Sequence, residues 1–364
     1  MKPFVVLAAA AALTGAAPAA TVRVLPTAAP ADTSHPLPMR TGGRTQTDGA
    51  MIERQWPDTY FDVGFRGTGV LFRVGEGEVH LHVVVDGQPP ASLVRPKPGF
   101  YRIDGLAPGP HRVRVEVVSE SQAGPTGFGG FFPIAGTTAL PLPPATRRIE
   151  FIGDSHTVGY GNTSATRECT TDDVWATTDS SRGVGALTAA AFGAEYRVHA
   201  ISGRGIVRNY DGFSADTIPS AYPFLLFDKA VADRSEDWSP QVVVIGIGTN
   251  DFSTALHPSE KWKTREDLRA DFERSYARFV SGLRTRYPNA FFVLWATDIA
   301  AGEVEAEGRR VVERLNAAGE RRVAFVPVHG LAMTACHGHP DLADDRAIAA
   351  ALGTAITAHH AFPS

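Results

Sequence analysis

The chain has 364 residues, of which 43% are hydrophobic and 20% are charged, a composition typical of a folded protein and not of a disordered one. This length exceeds what a single hydrophobic core usually serves, so we expect two domains. The formal net charge of −4 supplies no basic field for a polyanion, which argues against a nucleic-acid partner.

The first 35 residues predict an export signal followed by a leader. Lys2 precedes a long apolar stretch that ends in small residues, which suits signal-peptidase cleavage near Ala19 or Ala20. Residues 1–20 are therefore assigned to a signal peptide, with a short core helix as the alternative. Residues 21–35, rich in Ala, Pro and Thr, indicate an extended leader. No later apolar run reaches the roughly 18 residues that a membrane span needs, so we expect export to the periplasm or the medium.

Residues 36–146 have the pattern of an antiparallel β-sandwich. Short β-rich runs with period-two alternation are separated by Gly/Pro turns such as Asp86-Gly87. The Pro-rich segment 140–148 then indicates a stiff joint to a second domain.

The pattern changes over residues 147–364, where apolar strands alternate with helical stretches. Strands that are apolar on both faces and separated by helices predict an α/β domain in which a parallel sheet is covered on each side. Ligands of such sheets bind beyond the carboxyl ends of the strands. The predicted strands are 148–153, 195–201, 241–248, 290–296 and 322–328, and the helical stretches are 183–192, 221–234, 265–286, 304–319 and 341–358.

Polar residues with catalytic chemistry follow three of these strands. Ser155 follows the first strand, where it could act as a nucleophile or, alternatively, as an ordinary helix N-cap. Gly203 and Asn250 follow the next two strands and offer a backbone N–H and an amide NH₂ to an oxyanion, although each alone is a common turn residue.

His339 lies in the loop before the last helix, on the same side of the sheet as Ser155. A serine hydroxyl needs a neighbouring imidazole to take its proton, so His339 is the candidate base, against the alternative of a solvated loop histidine. Cys336, His337 and His339 lack the further ligands of a zinc site, and "GIGTND" lacks the third glycine of a dinucleotide fingerprint. We therefore predict no metal and no cofactor.

Four ordered segments, "GDSHTVGYGN", "SGRGIVRNYDG", "GTNDFS" and "HGHP", resemble the SGNH (GDSL) hydrolases, and more narrowly carbohydrate esterase family 2. The resemblance covers about residues 40–355. It implies a jelly-roll β-sandwich followed by a three-layer α/β/α SGNH domain. By the same resemblance Ser155 is the nucleophile, His339 is the general base, and the Ser155 N–H, the Gly203 N–H and the Asn250 amide form the oxyanion hole. The implied reaction is removal of O-acetyl groups from xylan or glucomannan.

The sequence departs from the commonest SGNH pattern at one position. Most members carry Asp three residues before the histidine, where this chain has Cys336. Family 2 esterases, which this chain resembles, use a Ser-His dyad in which a backbone carbonyl orients the ring, and the resemblance implies the same arrangement here. Asp341 or Asp344 is the alternative orienter, although both are better explained by solvation of a helix start.

Two further predictions concern the rim of the site. A free Cys336 beside the base would be an oxidation hazard in an exported protein, so we predict a Cys169–Cys336 disulfide; the alternative is two separate, partly buried thiols. Trp295, Tyr160 and Tyr210 are candidate platforms for a sugar ring, with core packing as the alternative for each.

Two other functions remain open. One is a different SGNH acyl hydrolase or an O-acetyltransferase, and the other is a non-catalytic glycan-binding module. The preferred polymer and the oligomeric state are left open.

Overall fold

The computed structural model describes residues 22–235 and 238–362. The predicted signal peptide, residues 1–20, lies outside the described residues. Within them, no helix combines the length and apolar character that crossing a bilayer requires.

The first half of the described chain consists of strands. They are β1 (Arg23–Thr27), β2 (Met39–Gly42), β3 (Gln46–Asp48), β4 (Met51–Arg54), β5 (Tyr60–Gly67), β6 (Val70–Val74), β7 (His80–Val85), β8 (Ala91–Val94), β9 (Gly99–Asp104), β10 (Gly109–Val117), β11 (Thr126–Pro133) and β12 (Thr138–Leu140).

These strands form the expected antiparallel β-sandwich. One sheet has the order β1-β9-β6-β11-β4-β3, and the other has the order β12-β5-β10-β7-β8 with β2 also paired to β5. Alternate side chains of both sheets point inward, so a shared apolar core that includes Phe65, Phe72 and Val115 lies between them. Asp86 and Gly87 both have positive φ, as the predicted turn after β7 requires.

The segment 21–35, predicted to be an extended leader, includes a strand of the sandwich. Arg23–Thr27 forms β1, which pairs antiparallel with β9 at the edge of the sandwich. Val22 and Val24 are half-buried against the sandwich core, and the five residues of β1 pair with β9 along their whole length. The Ala-, Pro- and Thr-rich composition does not report on this pairing.

The second half of the chain alternates strands with helices. The strands are β13 (Arg148–Gly153), β14 (Glu195–Ala200), β15 (Val242–Gly246), β16 (Phe291–Thr297) and β17 (Val323–Val328). The helices are α1 (Ser155–Val158), α2 (Thr171–Thr177), α3 (Val184–Ala191), α4 (Ile218–Ala221), α5 (Thr249–Phe252), α6 (Arg265–Arg286), α7 (Glu303–Ala317) and α8 (Leu342–Ala358).

The five strands β13 to β17 form one parallel sheet in the order β14-β13-β15-β16-β17, with apolar clusters on both faces. This is the expected α/β architecture, and it gathers the carboxyl ends of the strands at one edge. The predicted helix over 221–234 is wrong. Only Ile218–Ala221 is helical, because Pro223 has no N–H to continue the helix; the chain then turns back, and Leu225 N–H donates to the Val231 carbonyl at 2.9 Å.

The sandwich packs directly on the α/β domain. Trp56 of the sandwich is fully buried against His199 and Phe227, and its indole N–H donates to the Phe224 carbonyl at 3.2 Å. Arg44, also buried, pairs with Asp233 at 2.7 Å. The two domains therefore meet through an interface of buried side chains. This contact brings sandwich residues close to the carboxyl ends of the parallel strands.

Candidate active site

Ser155 is displayed at the end of the first parallel strand. β13 ends at Gly153, and Asp154 then caps α1 by accepting the His156 N–H at 3.1 Å. Ser155 is the first residue of α1, so its own N–H is one of the groups for which the helix provides no acceptor. Gly153 is required because a Cβ there would lie 1.9 Å from Thr157 Oγ1. The tight turn thus leaves the Ser155 hydroxyl and N–H side by side.

His339 meets Ser155 across 184 positions of the chain. Its Nε2 lies 2.9 Å from Ser155 Oγ, and its Nδ1 lies 2.9 Å from the Cys336 carbonyl oxygen. A carbonyl only accepts hydrogen bonds, so Nδ1 carries the proton and donates it. Nε2 is then the free acceptor for the serine O–H, which is the arrangement of a nucleophile and its base.

The carboxylates near His339 act elsewhere. Asp341 caps α8, where its side chain accepts the N–H groups of Ala343 and Asp344. The Asp344 carboxylate accepts the Ala332 and Met333 N–H groups, each at 2.8 Å. The carbonyl of Cys336 therefore orients the imidazole. The family resemblance implies a backbone carbonyl in this role but does not name the residue.

The environment of His339 keeps its ring neutral. Burial, together with the nearby His337, lowers the pKa of His339 to about 4 against the opposing effect of the Cys336 carbonyl. A further neutral ring, His156, packs edge-on against His339 with ring centroids 5.4 Å apart, and burial lowers its pKa to about 3. Our sequence reasoning missed His156, whose only signal is its place beside Ser155. His339 is thus poised to accept a proton over a wide pH range.

The structure contains the Cys169–Cys336 disulfide. It joins the loop after α1 to the loop that carries the histidine, and two hydrogen bonds run beside it. His337 N–H donates to the Arg167 carbonyl at 2.8 Å, and His337 Nε2 lies 2.9 Å from the Cys169 carbonyl oxygen. Because Cys336 is bonded through its sulfur, it is not available as a metal ligand, and the described ranges hold no cluster of three His, Cys, Asp or Glu suited to a metal.

Two further loops bring Gly203 and Asn250 to the same edge. Gly203 has φ +80°, and a Cβ there would lie 3.3 Å from the Phe213 ring, so the position suits glycine. Asn250 follows β15, is 4% exposed, and donates one amide N–H to the Arg204 carbonyl at 2.8 Å, which leaves its second N–H for a ligand. Asp251 holds this arrangement by accepting three backbone N–H groups, those of Ile206, Val207 and Arg208.

The predicted sugar platforms divide into two groups. Tyr160 and Tyr210 lie at the site: the Tyr160 ring is 4.3 Å from the His339 ring, and Tyr210, 52% exposed, donates its N–H to the Gly203 carbonyl at 2.9 Å. Phe213 is also exposed and its ring lies next to Gly203; the sequence analysis does not single it out. The prediction for Trp295 is wrong.

Trp295 is a core residue. It is 4% exposed within β16, where a Cβ on Gly246 of the neighbouring strand would lie 2.3 Å from its ring. A bulky aromatic side chain in a strand buried on both faces is held by packing, and the glycine opposite makes the space for it.

A cleft of about 560 Å³ lies between the two domains, and Tyr160, whose ring contacts His339, is part of its wall. His337, Trp175 and Arg95 also line it, with the Arg95 guanidinium carbon 4.1 Å from the centroid of the Trp175 indole. The cleft thus combines aromatic faces with charged groups, as a sugar-binding surface does.

Comparison with known proteins places both halves of the chain. Residues 41–143 match the model described as "Carbohydrate esterase 2 N-terminal", and residues 151–352 match the "GDSL-like Lipase/Acylhydrolase family". A Cellvibrio japonicus (strain Ueda107) protein named acetylxylan esterase / glucomannan deacetylase is 41% identical over 325 residues, which are 88% of this chain and 90% of that protein.

Solved structures agree with these matches. A carbohydrate esterase whose active site is described as having divergent catalytic and non-catalytic binding functions is 39% identical with a TM-score of 0.83, covering 89% of this chain and 98% of its own. A family two carbohydrate esterase from Clostridium thermocellum, in complex with cellohexaose, is 28% identical with a TM-score of 0.77, covering 88% and 98%. The chain therefore belongs to the GDSL-like lipase/acylhydrolase family and, within it, to the carbohydrate esterases of family 2.

Proposed function

We propose that the chain is a serine esterase that removes O-acetyl groups from plant polysaccharides, with acetylated xylan or glucomannan as substrate. The observation that carries this proposal is the 2.9 Å contact between His339 Nε2 and Ser155 Oγ, with Nδ1 held by the Cys336 carbonyl. A neutral imidazole in this tautomer and at this distance can accept the serine proton without rearrangement.

Acylation begins when Ser155 Oγ attacks the acetyl carbonyl carbon and its proton passes to His339 Nε2. The resulting oxyanion accepts hydrogen bonds from the Ser155 N–H, the Gly203 N–H and the Asn250 side chain. The imidazolium then donates its proton to the sugar oxygen, the C–O bond breaks, and the deacetylated sugar leaves an acetyl group on Ser155.

Deacylation repeats the same steps with water. His339 takes a proton from the water as its oxygen attacks the acetyl-serine, and the second oxyanion occupies the same donors. The proton then returns to Ser155 Oγ, and acetate leaves. No carboxylate is required, because the Cys336 carbonyl holds the Nδ1 proton throughout and partially stabilises the imidazolium.

Two observations support a polysaccharide substrate. The named Cellvibrio japonicus relative acts on acetylated xylan and glucomannan by its name, and a solved relative is in complex with cellohexaose. The chain's own support is the set of half-buried or exposed aromatic residues at the site, Tyr160, Tyr210 and Phe213, which suit the apolar faces of pyranose rings.

The proposal includes a location and a domain division. The Cys169–Cys336 disulfide supports action in an oxidising compartment outside the cytoplasm, in agreement with the export signal assigned to residues 1–20. The sandwich, including its edge strand β1, extends to residue 146, and the hydrolase domain runs from residue 147.

The test measures acetate release from acetylated xylan, glucomannan and pectin, together with hydrolysis of p-nitrophenyl esters of increasing acyl length. We expect release from xylan or glucomannan, and a steep fall in kcat/KM beyond short acyl groups. Preferred cleavage of long acyl esters would favour a lipase-like hydrolase instead. Glycan binding without any ester cleavage would favour a binding module.

A further inference from the structure

The sandwich domain reaches the backbone beside the oxyanion hole. The segment Glu120–Gln122 follows β10 and contacts Ser202, the residue before Gly203. Glu120 Oε1 accepts the Ser202 N–H at 2.8 Å, and Gln122 Nε2 donates to the Ser202 carbonyl at 3.2 Å. Gln122 Nε2 also donates to Glu120 Oε1 at 3.0 Å. The N–H and the C=O of one residue are thus held by two linked side chains of the other domain.

The Ser202 carbonyl matters because of the peptide unit to which it belongs. The C=O of Ser202 and the N–H of Gly203 lie in one planar trans peptide and point in opposite directions. Holding the carbonyl toward Gln122 therefore directs the Gly203 N–H away from the sandwich. Glycine adopts positive and negative φ with similar ease, so the side chain at position 203 imposes no preference of its own on this peptide.

The holding segment is itself fixed. Ser121 Oγ accepts a hydrogen bond from the guanidinium of Arg54 at 2.9 Å, and that arginine is fully buried in the sandwich. The preceding Ser119 Oγ accepts the His80 N–H at 3.0 Å. On the other side of the glycine, its carbonyl accepts the Tyr210 N–H at 2.9 Å. A continuous series of hydrogen-bonded residues therefore connects the sandwich interior with the backbone around Gly203.

We propose that Glu120 and Gln122 are positioning residues that orient the Gly203 N–H toward the oxyanion, so that the sandwich domain takes part in the reaction by aligning one of its donors. This inference rests on the proposed esterase function and adds to it a role that lies outside the hydrolase domain. Among the described residues, neither side chain has a hydrogen bond to Ser155 or His339. Both line the cleft beside Tyr160, and their link to the oxyanion hole runs through Ser202.

The test compares Gln122→Met, which keeps the side-chain length and removes the donor, with Glu120→Ala and the conservative Glu120→Gln. The substrate is p-nitrophenyl acetate, which is too small to extend along the cleft. Losing one oxyanion donor outright costs about 10²–10³ in turnover, so a misaligned donor should lower kcat about tenfold in Gln122→Met and more in Glu120→Ala, with little change in KM. Glu120→Gln retains an acceptor for the Ser202 N–H and should recover most of the activity.

A matched control removes a different contact between the domains. Ser181 Oγ lies 3.2 Å from His82 Nδ1 of the sandwich and donates to Asp179 Oδ1 at 2.7 Å. Ser181→Ala loses both contacts and leaves Ser202 untouched, so its kcat should equal that of the wild type. A second readout is independent of activity: hydrogen–deuterium exchange of the segment 201–204 should accelerate in Gln122→Met while the melting temperature stays unchanged.

The outcomes separate the two proposals. Unchanged exchange of segment 201–204 in Gln122→Met overturns the positioning role whatever the activity shows. Unchanged kcat in Gln122→Met and Glu120→Ala overturns it as well. A wild-type protein that releases no acetate overturns the esterase proposal, whereas accelerated exchange in the variants would still show that the sandwich holds this peptide.

Discussion

The carbonyl oxygen of Cys336 lies 2.9 Å from Nδ1 of His339, and the sulfur of the same Cys336 is bonded to Cys169. One residue therefore both orients the base and anchors its loop to the loop that follows the nucleophile. In a site without an orienting carboxylate, the position of a backbone carbonyl depends on the rigidity of its loop.

Replacing both cysteines, Cys169→Ala with Cys336→Ala, should lower the free energy of unfolding by about 2–5 kcal/mol, because the bond closes a long loop of the unfolded chain. It should also lower kcat, since the carbonyl that holds His339 loses its anchor. Urea denaturation and ester kinetics measure the two effects. Wild-type kcat in the double variant would show that the hydrogen bonds of His337 suffice to hold the loop.

The pH dependence of kcat/KM should have its acidic limb well below the ordinary histidine pKa of about 6.5. His339 must be neutral to act as a base, so activity is lost as pH falls through its folded-state pKa, which burial lowers to about 4. A pH–rate profile, with circular dichroism at each pH to confirm that the protein stays folded, measures this. An acidic limb at or above 6.5 in folded enzyme would contradict the neutral, buried ring.

Asn250→Ala should lower kcat by about 10²–10³ with little change in KM. The reason is that the second amide N–H of Asn250 is proposed to bind the oxyanion, which forms in the transition state and not in the bound substrate. The variant also loses the bond to the Arg204 carbonyl, so its melting temperature must be measured alongside. Asn250→Asp is the size-matched companion and should be at least as impaired, since a carboxylate repels the oxyanion. If the kcat of Asn250→Ala stays within about threefold of the wild-type value, Asn250 does not contribute to the oxyanion hole.

Tyr210 and Trp295 should respond in opposite ways to substitution by alanine. Tyr210 is 52% exposed, so Tyr210→Ala should raise KM for acetylated polysaccharide and leave the unfolding free energy nearly unchanged. Trp295 is 4% exposed in the sheet core, so Trp295→Ala should cost about 3–5 kcal/mol of stability. An unaltered KM for the polymer in Tyr210→Ala would dismiss this residue as a platform.

Much of the architecture could be predicted because it follows from local pattern. The five apolar strands of the parallel sheet and the long helix Arg265–Arg286 have a clear period, and carboxyl strand ends meet at one edge by topology alone. This was enough to bring Ser155, Gly203, Asn250 and His339 into one hypothesis. The family resemblance implies that a backbone carbonyl orients His339, but nothing in the sequence identifies it as the carbonyl of Cys336.

The remaining features depend on how separate parts dock. The prediction that Trp295 binds a sugar is wrong because a tryptophan near a strand end has the same local pattern whether its side chain faces the core or a ligand. Its ring occupies the space that Gly246 leaves on the neighbouring strand, and no local pattern shows this. The helix predicted over 221–234 does not form, because Pro223 interrupts it near its expected start. The contact of Glu120 with Ser202 joins two domains, and no local sequence pattern reports on it.

The central claim is that Ser155 and His339 act together as nucleophile and base. The most direct test measures acetate release from acetylated xylan or glucomannan by the wild type, Ser155→Ala, His339→Ala and the double variant. Removing either partner should lower kcat by about 10³–10⁶. The double variant should be about as active as the less active of the two single variants, because the two residues work as a unit. Single variants that each keep more than about a tenth of the wild-type rate, or losses that multiply in the double variant, would contradict the dyad.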